Sequence, residues 1–182
     1  MKRRTLLQFP LLATAFASVA KSPDRARKGF KVARGTGRGH EELHIMGGRF
    51  NCVVSGEDTN GDMCIYDTVR NEKGGPALHL HHEQDEWFYV VKGDFIVKVG
   101  DETFQLKAGD SAFAPRKIPH AFASVGEGES QMLVLFQPAG SMEDFFKQMS
   151  KEGTSIPKDQ EKRLKALWAS HGMEIVGPPL KF

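Results

Sequence analysis

The stretch HLHHEQDEWFYVVKG, His79 to Gly93, holds three of the chain's seven histidines and the carboxylates Glu83, Asp85 and Glu86. Residues i and i+2 of a strand share a face. His79 and His81 therefore point one way, and Leu80 and His82 the other. Glu86 opens the run EWFYVV, in which Glu86, Phe88 and Val90 share one face and Trp87, Tyr89 and Val91 the opposite one. A short turn from Glu83 to Asp85 predicts that the two runs pair as neighbouring antiparallel strands, so that two imidazoles and a carboxylate converge. Neutral imidazole nitrogen and carboxylate oxygen form a ligand set for one divalent ion: iron, manganese, nickel, zinc or copper. A metal also explains a carboxylate set against core-type residues, because burying that charge unpaired is costly. For the H-x-H pair alone, the plain alternative is a polar strand end with surface histidines.

The elements that must position these groups read as β-structure from about Leu43 to Pro138. Short β-branched or aromatic runs alternate with turn signals every eight to twelve residues, a sandwich or barrel pattern. In DFIVKVGDETFQLKAGD, Phe95, Val97 and Val99 alternate with polar positions, and Gly100-Asp101 supplies a hairpin turn. The run QMLVLFQP closes the β-region as a nearly continuous apolar strand. Two helices follow. Met142, Phe145, Phe146 and Met149 form one apolar stripe, with Ser141 as N-cap. Leu164, Leu167, Trp168 and His171 form another, begun near Pro157 and ended by Gly172. These stripes are expected to cover a barrel end or a subunit contact.

The spacing extends beyond the histidine pair. Glu86 lies five positions after His81, and Gly93 seven after Glu86. Downstream, GDSAFAPRKIPH places Gly109, Pro115 and His120 in series. These two segments resemble the motifs of the cupin superfamily, G-x5-H-x-H-x3-4-E-x6-G and G-x5-P-x-G-x2-H-x3-N. The phrases GGPALHLHHEQDEWFYVVKGD and GMEIVGPPL resemble small bacterial cupins grouped with quercetin dioxygenases. Lys73 stands at the first motif glycine, with Gly74 and Gly75 adjacent; Lys117 replaces a glycine of the second motif and Ser124 its final Asn.

The resemblance implies an all-β double-stranded β-helix, a jelly-roll barrel, over residues 41–138, with a helical extension over 139–182. It implies His79, His81, Glu86 and His120 as ligands of one divalent metal, with Glu86 also a catalytic proton acceptor. Phe88, Phe113 and Phe122 become candidates for a substrate-pocket wall; core packing is their alternative. The implied activity is dioxygenase-type oxidation of a small phenolic or enolisable molecule. A cupin isomerase, hydrolase or decarboxylase using the metal as Lewis acid is the second reading, and a non-catalytic periplasmic binding module the third. A homodimer formed through barrel faces is also implied.

A chain of 182 residues with 40% hydrophobic content has the means for one domain with a core. No basic cluster marks its middle, which argues against nucleic acid as a partner. The start, MKRRTLLQFPLLATAFASVAKSP, combines Lys2, Arg3 and Arg4 with an uncharged stretch from Phe9 to Ala20. That is the layout of an export signal over residues 1–20, similar to a bacterial twin-arginine signal, and it places the mature chain in the periplasm with no membrane contact. The alternative is a basic terminus ahead of an apolar anchor. Residues 21–40 are basic and Gly-rich, the composition of a flexible arm. Cys52 and Cys64 fall in two strand-like runs around GEDTNG; if Ser55 faces Gly61, the cysteines face each other, as a disulfide or as two buried thiols. Intact mass of the protein from a periplasmic fraction is expected to show cleavage between about Ala17 and Lys21. A cytosolic chain retaining Met1 would contradict export.

Overall fold

The computed structural model describes residues 28–39, 41–152 and 161–182. The expected export signal, the first part of the arm and the expected helix start at Pro157 lie outside them. Residues 28–39 carry turns and no helix or strand.

The described strands form two antiparallel sheets. One runs in the order β1 (Leu43–Ile45), β2 (Gly48–Val54), β3 (Cys64–Arg70), β10 (Ser130–Gln137), β5 (Asp85–Lys92) and β8 (Ser111–Ala114). The other runs β11 (Met173–Pro179), β4 (Ala77–His81), β9 (His120–Ser124), β6 (Phe95–Val99) and β7 (Glu102–Leu106). This is the jelly-roll barrel expected from the motifs. Period-two alternation builds its interior: Phe88 and Val90 on β5, Phe95 and Val97 on β6, and Met132, Val134 and Phe136 on β10 are buried. Each such side chain contributes about 1.5–3 kcal/mol by leaving water. The Gly100-Asp101 hairpin joins β6 to β7 as predicted.

Helices α2 (Met142–Glu152) and α3 (Glu161–Ser170) follow β10. The α2 stripe of Met142, Phe145, Phe146 and Met149 is buried, as is Trp168 of α3. Phe146 packs against Phe50, Tyr66 and Phe136, so α2 covers one end of the barrel. Gly172, at φ 74°, ends the second helical stretch as expected. Ser141 places its hydroxyl 3.0 Å from His171 Nδ1 rather than serving simply as a cap.

Four expectations change. First, β4 and β5 do not pair. They lie in different sheets, because the residues between them carry the chain across the barrel. Second, the C-terminal extension is not wholly helical: MEIV alternates between inward and outward positions, and β11 returns to pair with β4. Third, a one-turn helix, α1 (Gly56–Thr59), replaces the simple turn between β2 and β3, closed by a capping box of Ser55 and Asp58. That shifts the register, so Cys52 faces Tyr66 and Cys64 faces Phe136; both cysteines are free thiols. Fourth, Phe113 points outward and is 56% exposed, because its neighbours Ala112 and Ala114 take the inward positions of β8.

The departures from the motif have local explanations. A Cβ on Gly75 would stand 1.8 Å from the Phe122 carbonyl oxygen, so the close approach to β9 needs glycine at 75, not at 73. Lys117 adopts φ 66°, doing with a side chain what glycine does without strain. Ser124 pairs its hydroxyl with Ser130, 2.7 Å away. Gly75→Ala is therefore expected to destabilise the fold by at least about 2 kcal/mol, while Lys73→Ala leaves the urea midpoint nearly unchanged, since its ion pair is with the exposed Glu127. Equal midpoints for the two variants would refute the assignment of Gly75.

Candidate metal centre

Strand pairing assembles the site. His79 on β4 and His120 on β9 are direct partners across their ladder. His81 follows His79 on the same face. Glu86, on β5, enters from the opposite sheet. The four side chains are buried, and their candidate ligand atoms all lie within 4.8 Å of one another. Glu86 Oε2 is 2.8 Å from His120 Nε2, 3.2 Å from His81 Nε2 and 4.0 Å from His79 Nε2.

Backbone carbonyls orient two of the rings by the same device. His79 Nδ1 is 2.8 Å from the Ala77 carbonyl oxygen, and His120 Nδ1 is 2.8 Å from that of Ile118. A carbonyl accepts only, so each Nδ1 carries the proton and donates it there. Each Nε2 is thereby turned toward Glu86, the outer support that metal-ligating histidines use. His81 differs. Its ring is buried at 1% exposure and its Nε2 lies 3.2 Å from Glu86 Oε2, yet neither nitrogen makes a hydrogen bond among the described residues. Such orphaned polar atoms are rare in a folded interior. A cation shared by the four side chains would satisfy them, so the group suits a single metal ion.

The electrostatics agree. Burial pushes the His79 imidazole pKa down to about 3, helped by the neighbouring His120. Burial alone would raise the Glu86 carboxyl, but hydrogen bonding to His120 and the proximity of His81 hold it well below the usual carboxylate range. At His120 burial opposes the charge, yet the hydrogen bond and charge of Glu86 raise its pKa. Without a cation, a proton between His120 and Glu86 holds the place of one positive charge.

A cavity of about 50 Å³ borders the cluster. Its walls include His79, His81, Glu86, Phe122, Phe136 and Trp168. Of the three phenylalanines expected there, Phe122 lines it. Phe88 lies beneath, packed on Phe122 and His120, and Phe113 is on the outer surface. Trp168, read from the sequence only as part of a helical stripe, and Arg70, not singled out there, also stand in the wall. Trp168 stands edge-on to His79 with ring centroids 4.8 Å apart. Arg70 is buried on β3, although CIYDTVR places it in the inward row of Cys64, Tyr66 and Thr68 by alternation. His82 lies on the exposed side, 3.9 Å from Glu174.

The family profile described as "Cupin domain" matches residues 68–136. An uncharacterized protein of Methanocaldococcus jannaschii is 31% identical over 67 residues, covering 37% of this chain and 54% of that one. The 3-hydroxyanthranilate 3,4-dioxygenase 2 of Aspergillus oryzae is 28% identical over 96 residues, covering 50% and 53%. The chain thus spans about half the length of these curated relatives. Among solved structures, KdgF from Halomonas sp. superposes with a TM-score of 0.50 at 24% identity, over 61% of this chain and 94% of that one. The domain match over residues 68–136 supports the cupin superfamily, and the structural likeness shows a shared fold.

The geometry separates His81 from its neighbour His82. Metal analysis after purification is expected to find stoichiometric metal in wild type and His82→Ala, and a loss of it in His81→Ala. Equal metal content in both variants would remove His81 from the ligand set.

Proposed function

We propose that the protein uses this cupin domain as a metal-dependent, dioxygenase-type enzyme acting on a small enolisable or phenolic molecule. The observation that carries the reading is the convergence of three imidazoles and one carboxylate beside a mainly apolar cavity, with His79, His81 and Glu86 in its wall. The partial match to a relative named as a dioxygenase supports it.

His79, His81, Glu86 and His120 would hold the ion. A bound divalent ion would supply Lewis acidity toward an enol or phenol oxygen and, if redox-active, electrons for dioxygen chemistry. The protein's share is positioning and proton handling. The Ala77 and Ile118 carbonyls hold two rings in place. Trp168, Phe136 and Phe122 exclude water from the space beside them. Glu86 is the one carboxylate of the cluster, so in this reading its Oε2 accepts the substrate's acidic proton.

Glu86→Gln keeps the size and one oxygen but loses the charge and most of the basicity. Metal affinity is expected to fall moderately, since three histidines remain, while turnover falls roughly 10²–10⁴-fold. The measurement is oxygen uptake by both proteins, reconstituted to equal metal content, over a panel of enolisable ketones and flavonols. Background rates for every compound with every first-row divalent metal would sink the enzyme reading. Turnover without oxygen consumption would replace oxygenase chemistry with Lewis-acid catalysis.

A further inference from the structure

Two residues that line the cavity, Arg70 and Trp168, each carry a nitrogen donor with no partner among the described residues. Arg70 is 6% exposed. Its Nη2 donates to the Met46 carbonyl, but its Nε has no partner among the described residues. Burial lowers the guanidinium pKa even though the charge of Glu72 acts the other way. Space is kept for the group: a Cβ on Gly48 would stand 2.9 Å from Arg70 Nη1. Trp168, 4% exposed, likewise has no partner for its indole Nε1 among the described residues. Both residues line the cavity that borders the histidine–glutamate cluster. Buried donors left unpaired cost free energy, and a charged one costs most. A ligand carrying acceptor oxygens would recover that cost.

The donors lie in different places. On β10, the partner of Arg70 is Ser130, whereas the partner of Glu86 is Phe136, six positions along the strand. Arg70 thus enters from the end away from Glu86, while Trp168 stands beside His79.

We infer that the cavity takes an elongated anion, with an enolisable oxygen at the histidine–glutamate end and a carboxylate anchored by Arg70. Trp168 Nε1–H donates to an oxygen near the first end. This deepens the proposed function and rests on its metal reading for the first end only. Arg70 is a substrate-anchoring residue that determines charge preference. An Arg guanidinium with a free N–H suits a carboxylate better than a neutral carbonyl, because a charge-assisted hydrogen bond is the stronger.

The test is calorimetric titration of the full chain, metal-loaded and metal-stripped, with 4,6-dioxoheptanoate and with neutral heptane-2,4-dione. Both carry the same enolisable diketone; the first alone carries a carboxylate at the far end. Wild type is expected to bind the anion about 10- to 100-fold more tightly than the neutral probe. Arg70→Met is expected to collapse that ratio to about 1–3, and Arg70→Lys to restore part of it. Trp168→Phe, which keeps an aromatic ring and removes the N–H, is expected to weaken both probes several-fold. A wild-type ratio near one, or a ratio unaltered in Arg70→Met, overturns the assignment. If Arg70→Met fails to fold, the wild-type ratio and Arg70→Lys still decide. Wild type that holds no stoichiometric metal yet still prefers the anion overturns the metal reading and leaves the anchoring role of Arg70 standing.

Discussion

A carboxylate buried at 3% exposure inside an apolar barrel is the constraint around which the molecule is arranged. Placing Glu86 there unpaired would cost several kcal/mol even after relaxation. Compensation comes from one direction, since the three imidazoles approach from the facing sheet. Two of those rings are held by backbone carbonyls at 2.8 Å, which leaves their Nε2 atoms to face the carboxylate. His81, without such support, is the ring whose polar atoms remain unsatisfied. A divalent cation would neutralise the carboxylate and satisfy His81 at once, whereas a proton does the first and not the second.

The rest of the fold reads as what keeps this group dry and in register. The pairing of His79 with His120 depends on β4 and β9 being neighbours, which brings the chain past Gly75 with no room for a Cβ. Helices α2 and α3 then add an aromatic cover over the open side. Phe145 packs on Trp168, and Trp168 on His79. β11 pairs with β4 directly at His79 and His81, so the C-terminal segment braces the strand that carries two of the four groups. Removing water from the site strengthens every electrostatic interaction inside it. It also raises the cost of the Arg70 and Trp168 donors that have no partner among the described residues, a cost that the inferred oxygen-bearing ligand would offset.

Local pattern and motif spacing made much of this legible. Period-two alternation assigned His79 and His81 to one face and His82 to the other, and the structure keeps them so. The helical stripe of Met142, Phe145, Phe146 and Met149 was equally readable, because the helix buries the face its period defines. Alternation in CIYDTVR and MEIV also carried inward Arg70 and strand β11, but short runs near a chain end or beside a turn compete with other assignments.

What the sequence by itself determined was which side of each element faces the interior, since side-chain direction follows from backbone period alone. Which elements face one another was decided by the tertiary structure. Adjacent runs such as β4 and β5 look like a hairpin, yet the turn between them crosses to the other sheet, and Glu86 meets the histidines across the barrel instead of along a ladder. Phe113 shows the same limit: its hydrophobicity was visible, but the small Ala112 and Ala114 hold the inward positions of β8. The capping box at Ser55 likewise shifted Cys52 away from Cys64. Register between strands is set by the sum of long-range packing and turn geometry, and no short window of sequence contains that sum.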